Sequence, residues 1–210
     1  MRSIRILSLA LVPALFAAAP AFAQDGTDTA SGKRFAVVGG IAHMKPDDPA
    51  SGLKVDGGPA PTLSASWYAN DNVAVELWGA VDKFDHRVRS TSTGKIGTVE
   101  QQPIALSAQY HFGQADNTFR PFVGLGYYES NFSNERLDVA TIGGAPLGVE
   151  TAKGAIGTVG VDMNINSTWF ARADARYMHS RPETTVGGER TGSELKLDPW
   201  TVGIGLGARF

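Results

Sequence analysis

Apolar and polar residues alternate one by one along most of this chain beyond residue 33. In "TVGIGLGARF" (201–210) the even positions read Val202, Ile204, Leu206, Ala208 and Phe210; the odd ones read Thr201, Gly203, Gly205, Gly207 and Arg209. A period of two puts successive side chains on opposite faces of a strand. "WFARADARY" (169–177) sets Trp169, Ala171, Ala173, Ala175 and Tyr177 against Phe170, Arg172, Asp174 and Arg176. "VAVELWGAV" (73–81) sets Val73, Val75, Leu77, Gly79 and Val81 against Ala74, Glu76, Trp78 and Ala80. The pattern recurs in "IALSAQYHF" (104–112), in "AIGTVGVDMNI" (155–165) and near 34–43, 61–69 and 119–130. Eight strands are predicted. A helix suits none of them, because apolar residues at i, i+2 and i+4 would wrap round its cylinder.

A soluble sandwich also alternates, so the connections decide. Three are short, at 70–72, 113–118 and 166–168, and four are long and polar, at 44–60, 85–102, 131–152 and 181–195. Long and short alternate strictly, which gathers all long links at one end. That asymmetry belongs to an up-and-down transmembrane β-barrel with short periplasmic turns and long extracellular loops. The polar face is rich in glycine (Gly40, Gly124, Gly126, Gly160, Gly203, Gly205, Gly207), which suits a cramped lumen and makes a poor water-facing strand. Trp67, Tyr110, Phe112, Phe119, Trp169, Tyr177 and Trp200 take the outward parity near strand ends, where interfacial aromatic girdles lie.

The N-terminus fits that destination. "MRSIRILSLALVPALFAAAPAFA" (1–23) carries Arg2 and Arg5, an apolar run and Ala21-Phe22-Ala23, the layout of a cleaved secretory signal. Residues 24–210 are then the mature barrel domain. Removal of residues 1–23 takes the basic count from 19 to 17 against 21 acids, a net charge of −4, with no basic run to suit nucleic acid. The chain has no cysteine, so an exported domain must hold without disulfides.

Several stretches resemble the OmpW family of small outer-membrane barrels: "VELWGAVDKFDH" (75–86), "QQPIALSAQYHF" (101–112), "RPFVGLGYYESNF" (120–132), "WFARADARYM" (169–178) and "LDPWTVGIGLGARF" (197–210). They follow in the family's order across most of the mature chain. Lys83 stands where the family often has proline, and Ala208 where it often has tyrosine. The resemblance implies an eight-stranded barrel in the cell outer membrane, with a narrow channel linked to uptake of small hydrophobic molecules. The terminal Phe210 resembles the signal read by outer-membrane barrel-assembly machinery. Membrane lipid and lipopolysaccharide are the expected surroundings.

Eight strands enclose barely enough room for side chains, which excludes a wide aqueous pore. Parity and distance from the short turns place Glu76, Asp162, Arg172 and Asp174 in the lower or middle lumen, with Arg176 slightly higher and Arg209 at the bottom. The first five form a candidate charge plug. The upper lumen offers Trp78, Phe84, Phe122 and Tyr128 as a candidate hydrophobic funnel, interrupted by Asp82. A structural or surface-receptor barrel acting through its loops is the alternative. A rim hydrolase or acyltransferase would need a nucleophile, a base and an oxyanion site together. His43, His86 and His179 near the outer ends, with Asp47, Asp48, Asp85 and Ser180, form no such motif and lack metal-ligand spacing. No catalytic residue, metal or cofactor is therefore expected, and His111 reads as a luminal hydrogen-bonding group.

Overall fold

Each predicted strand finds a neighbour on both sides. The computed structural model describes residues 31–47, 53–90, 94–137, 141–142, 145–149, 151–186, 189–194 and 196–210. The expected signal segment, 1–23, and parts of the four long connections lie outside them. The strands, in chain order, are β1 (Phe35–Lys45), β2 (Leu53–Asp56), β3 (Gly58–Tyr68), β4 (Val73–Ala80), β5 (Phe84–Ser90), β6 (Gly94–His111) and β7 (Phe119–Leu137). After these come β8 (Thr141–Ile142), β9 (Ala145–Val149), β10 (Ala152–Asn164), β11 (Trp169–Met178), β12 (Glu183–Val186), β13 (Glu189–Glu194) and β14 (Trp200–Arg209).

The wall runs β1–β3–β4–β6–β7–β10–β11–β14, all antiparallel, and β14 returns to β1 from Ala36↔Arg209 to Lys45↔Trp200. This is a closed eight-stranded barrel. β5 continues the β4 stave, since β4 pairs with the lower part of β6 and β5 with its upper part. Closure leaves no sheet edge in the bilayer, where an unpaired N–H or C=O would find no water.

The tight ends have local causes. Asn70 Oδ1 accepts from the N–H groups of Asn72 (2.9 Å) and Val73 (2.8 Å). Asn166 Oδ1 does the same for Thr168 (2.9 Å) and Trp169 (2.8 Å). Both are Asx turns, in which the side chain stands in for a backbone acceptor. Gly113 opens the remaining turn, 113–118, at φ 75°, a left-handed conformation that costs glycine little.

Burial is inverted relative to a soluble protein. Leu125 and Ile204 are 70% and 65% exposed, whereas Glu76, Asp162 and Arg176 are at most 1% exposed. The apolar parity meets lipid and the polar parity fills the lumen. Trp67, Phe112, Phe119 and Trp169 stand outward near the short turns, with Tyr177 against Trp200 (ring centroids 5.1 Å apart) near the far end.

Two expectations need correction. The four long connections contain much regular structure: β2, β5, β8, β9, β12 and β13 lie in or border them, β6 starts at Gly94 and β7 runs to Leu137. Above the bilayer both faces of a hairpin meet water, so pairing continues while the apolar alternation that betrays a strand disappears. Asp82, expected in the upper lumen, sits exposed in the bend between β4 and β5.

The luminal glycines make room for rings. A methyl group at Gly207 would overlap the Phe170 ring, while one at outward Gly39 would meet nothing within 4 Å. Gly207→Ala is expected to lower stability by about 1–3 kcal/mol, read as the urea midpoint in lipid vesicles, with Gly39→Ala close to wild type. A protease site placed at 91–93 should be cut on intact cells, and one at 114–117 only after the outer membrane is breached. Reversed accessibility would invert the topology.

Candidate functional site

Register brings the inward charges to neighbouring levels. Across β10 and β11, Asp162 faces Arg172 and Gly160 faces Asp174; across β4 and β6, Glu76 faces Ser107. The Arg172 guanidinium donates twice to Asp162, from Nε (2.7 Å) and Nη2 (3.0 Å), and once to Glu76 Oε2 from Nη1 (2.7 Å). Arg176 donates from Nη1 to the other Glu76 oxygen (2.8 Å) and from Nε to Asp174 (2.9 Å). Glu76 thus bridges the two arginines from the opposite wall.

The network reaches further down than the five residues singled out from sequence. Arg209 Nη2 donates to Asp162 Oδ2 (3.0 Å), and its Nη1 donates to Asn164. His111 Nδ1 lies 3.7 Å from Asp162, and Arg120 donates to the Asp71 carbonyl. Arg209 has the right parity on the closing strand and sits at the bottom of the lumen. Its contact with Asp162 needs the reach of a long side chain, which alternation does not reveal. Glu76, Asp162 and Asp174 therefore balance Arg172, Arg176 and Arg209.

Aromatic rings cover the guanidinium faces. Arg172 lies 4.5 Å from the Phe122 centroid, Arg176 4.5 Å from Trp78, and Arg209 3.9 Å from Phe170. A ring's negative face attracts a cation and shields it from water. The space left between Thr62, Ser64, Trp78, Arg172, Asp174 and Arg176 is a cavity of about 20 Å³, room for roughly one water.

Above this level lies an apolar layer. Trp78, Phe84 and Tyr128 pack with Ala42, Met44, Ala60, Ala105, Ala152, Ile156 and Met178, and all are buried. The layer is filled, and no open funnel stands among these side chains. Phe122 is not part of it: its ring stacks on His111 (4.9 Å) and carries Arg172, one level below. Trp78 belongs to both, with its indole in the apolar cluster and its face on Arg176.

The outer rim has its own ionic centre. Asp198, at the unusual φ of 29°, accepts from the Ser180 N–H (2.9 Å) and from Arg181, with His179 Nδ1 at 3.6 Å. Burial pushes this carboxyl up, but Arg181 and the Ser180 N–H outweigh it and hold it down at about 2. The Tyr128 hydroxyl donates to the His179 carbonyl (3.1 Å), tying the lumen to the rim. The three outer histidines stand in different settings: His43 is exposed on β1, His86 buried on β5, and His179 beside Asp198. Among the described residues no group of three acidic or histidine side chains could hold a metal.

Phe210 closes the wall at the turn end. Its N–H donates to the Phe35 carbonyl (2.8 Å), and its own carbonyl accepts from Arg34 (2.8 Å) and Phe35 (3.1 Å). The ring stays outward toward lipid.

Comparison with known proteins agrees with this architecture. Residues 34–210 match the model of the OmpW family. Outer membrane protein W of Escherichia coli (strain K12) is 33% identical over 221 aligned residues that cover 100% of both chains. The crystal structure of OprG from Pseudomonas aeruginosa superposes with a TM-score of 0.71 at 23% identity, covering 88% of this chain and 99% of OprG. The solution structure of Escherichia coli outer membrane protein W gives 0.57 at 28% identity, over 86% and 99% of the two chains. With a family match across the whole barrel and full-length relatives above 30% identity, this chain belongs to the OmpW family of outer-membrane β-barrel proteins.

Proposed function

We propose that the barrel takes up small hydrophobic molecules from outside the cell into its upper lumen, while the charge network below keeps ions from crossing. The observation that carries this reading is the axial division of one narrow lumen. A buried apolar layer around Trp78, Phe84 and Tyr128 stands directly over Glu76, Asp162, Arg172, Asp174 and Arg176. An aliphatic solute gains by leaving water for that layer, at roughly 0.8 kcal/mol per buried CH₂. The layer is full, so entry requires its members to shift. Met44 and Met178 suit that task, since an unbranched thioether repacks easily around a new shape. Membership of the OmpW family supports the same substrate class.

The charges suit a floor better than a conduit. An ion passing through would have to replace Arg172's three hydrogen bonds to Asp162 and Glu76 or squeeze past them. Breaking one member of a buried ion pair costs about 3–5 kcal/mol because the remaining charge is stranded, and water entering the lumen softens this.

Two measurements test the halves separately. Arg172→Ala should raise or destabilise single-channel current in planar bilayers and lower the melting temperature; if both stay at wild-type values, these charges do not seal the lumen. For the apolar layer, Trp67, Trp169 and Trp200 are replaced by Phe, leaving Trp78 as the fluorophore. Titrating 1-bromoundecane into bilayers holding this variant should give a saturable quench of Trp78, in addition to the linear loss from lipid-dissolved bromine. A purely linear response would end the uptake reading.

A further inference from the structure

Directly above the apolar layer four inward side chains change character together. His86 is two residues beyond Phe84 on β5, Ser130 two beyond Tyr128 on β7, and Ser180 two beyond Met178 at the end of β11. Gln101 pairs with Phe84 across β5 and β6. Each therefore sits one inward step, or level, from an apolar member of the cluster. All four are buried, at 2%, 1%, 0% and 0% exposure for His86, Gln101, Ser130 and Ser180.

Their polar atoms are unmet. Neither ring nitrogen of His86, nor Gln101 Nε2, nor the hydroxyls of Ser130 and Ser180 has a hydrogen-bond partner among the described residues. The His86 ring lies beside the Gln101 amide without bonding it in good geometry, and Ser180 Oγ stands next to the Tyr128 hydroxyl. Buried polar groups are paired in the great majority of cases; unpaired atoms also occur lower in the lumen, at Ser107, Gln109 and His111 among others, but these four border the apolar layer, where the head of a chain lying in it would meet them.

We propose that His86, Gln101, Ser130 and Ser180 form a polar collar that binds the uncharged, hydrogen-bonding head of a single-chain amphiphile, whose tail occupies the apolar layer below. This inference rests on the uptake reading and names its substrate class: long-chain alcohols and similar neutral-headed chains, in preference to bare alkanes or fatty carboxylates. Charge decides between heads. The buried guanidinium groups of Arg120, Arg172, Arg176 and Arg209 all lie below the apolar layer or at the turn end. Arg181 at the rim is taken by Asp198, and Lys83 by Glu100 (2.5 Å). The buried charge next to Ser180 is the Asp198 carboxylate itself, which would repel an anionic head. Burial lowers the His86 pKa to about 4, so its ring is neutral near pH 7 and offers one donor and one acceptor, the complement of a hydroxyl. An alkane would leave the whole collar unmet, and sites built to bond a polar group discriminate against analogues that lack it.

The test uses the Trp78 reporter in bilayers with three probes: 11-bromo-1-undecanol, 1-bromoundecane and 11-bromoundecanoate. Trp78 pairs with Ala105, four residues below Gln101. That is about 13 Å along the strand, so a head held in the collar puts a chain-end bromine near the indole. The alcohol should reach half-saturation at a mole fraction about tenfold below the alkane, the yield of one or two net hydrogen bonds, and the carboxylate should do no better than the alkane. His86→Leu with Gln101→Leu should erase the tenfold gap, with the alkane reaching half-saturation at the same or a lower mole fraction. Gln101→Met and Ser130→Ala, milder changes checked for folding by heat-modified gel mobility, should each narrow it. Equal responses to alcohol and alkane in the reporter protein, or an undiminished gap in the folded variants, would overturn the collar and leave the uptake reading standing. Absence of saturable quenching by any probe would remove both.

Discussion

A chain that crosses hydrocarbon as sheet must satisfy every backbone N–H and C=O within itself, and closure is the one way to do so. In this barrel closure rests on the β1–β14 ladder, continuous from Ala36↔Arg209 to Lys45↔Trp200 and locked at the turn end by Phe210 bonding to Phe35 and Arg34. Eight staves make a ring whose interior is about one layer of side chains across. The rest of the lumen's chemistry follows from that width. Whatever projects inward is buried, and a buried charge needs a partner in the opposite or adjacent wall.

The lower lumen shows how the partners are arranged. Isolated ions in such a place would cost several kcal/mol each in lost hydration. Arg172 offsets this with a two-pronged bond to Asp162 and a third bond to Glu76, while Phe122 covers its face. Glu76 spends one oxygen on each of two arginines. The large rings that shield the guanidinium groups fit only because glycine stands opposite them, Gly207 under Phe170 and Gly160 under Phe122. Glycine, arginine and phenylalanine on inward positions are one packing solution, and replacing any member disturbs the others.

Strands, faces and the alternation of short and long links were legible in the sequence because lipid on one side and a crowded lumen on the other write the strongest possible period-two signal. Where lipid ends, the signal ends: the Gly94–Gln101 part of β6 reads as polar loop although it pairs with β5. Within the lumen, parity identified which residues point inward but not their level. Level depends on register, the stagger between strands, and on side-chain reach. So Phe122 reads like Tyr128 on the same strand, yet it lies under Arg172 while Tyr128 joins Phe84 and Met178 above. Register sets Arg172 opposite Asp162, while Arg176 takes Asp174 from its own strand and shares Glu76 with Arg172. Arg209 was visible on the right face, and its bond to Asp162 was not.

On the uptake reading proposed above, the ordering of layers along the axis makes the lumen directional. Near the outside, polar groups at the level of Gln101 and Ser130 meet an apolar layer, and the charge network lies toward the turn end. An ion reaching the apolar layer loses its hydration there and finds no countercharge until it arrives at pairs already satisfied. An apolar molecule is welcome in that layer but cannot replace any bond of Arg172 or Glu76, so it gains nothing by moving further down. On that reading the same charges hold back both kinds of solute, ions because the level above is apolar and hydrophobic molecules because Asp162, Asp174 and Glu76 are already bonded to arginine. Selectivity in so narrow a barrel would then come from the sequence of layers a solute meets, more than from the width of any one of them.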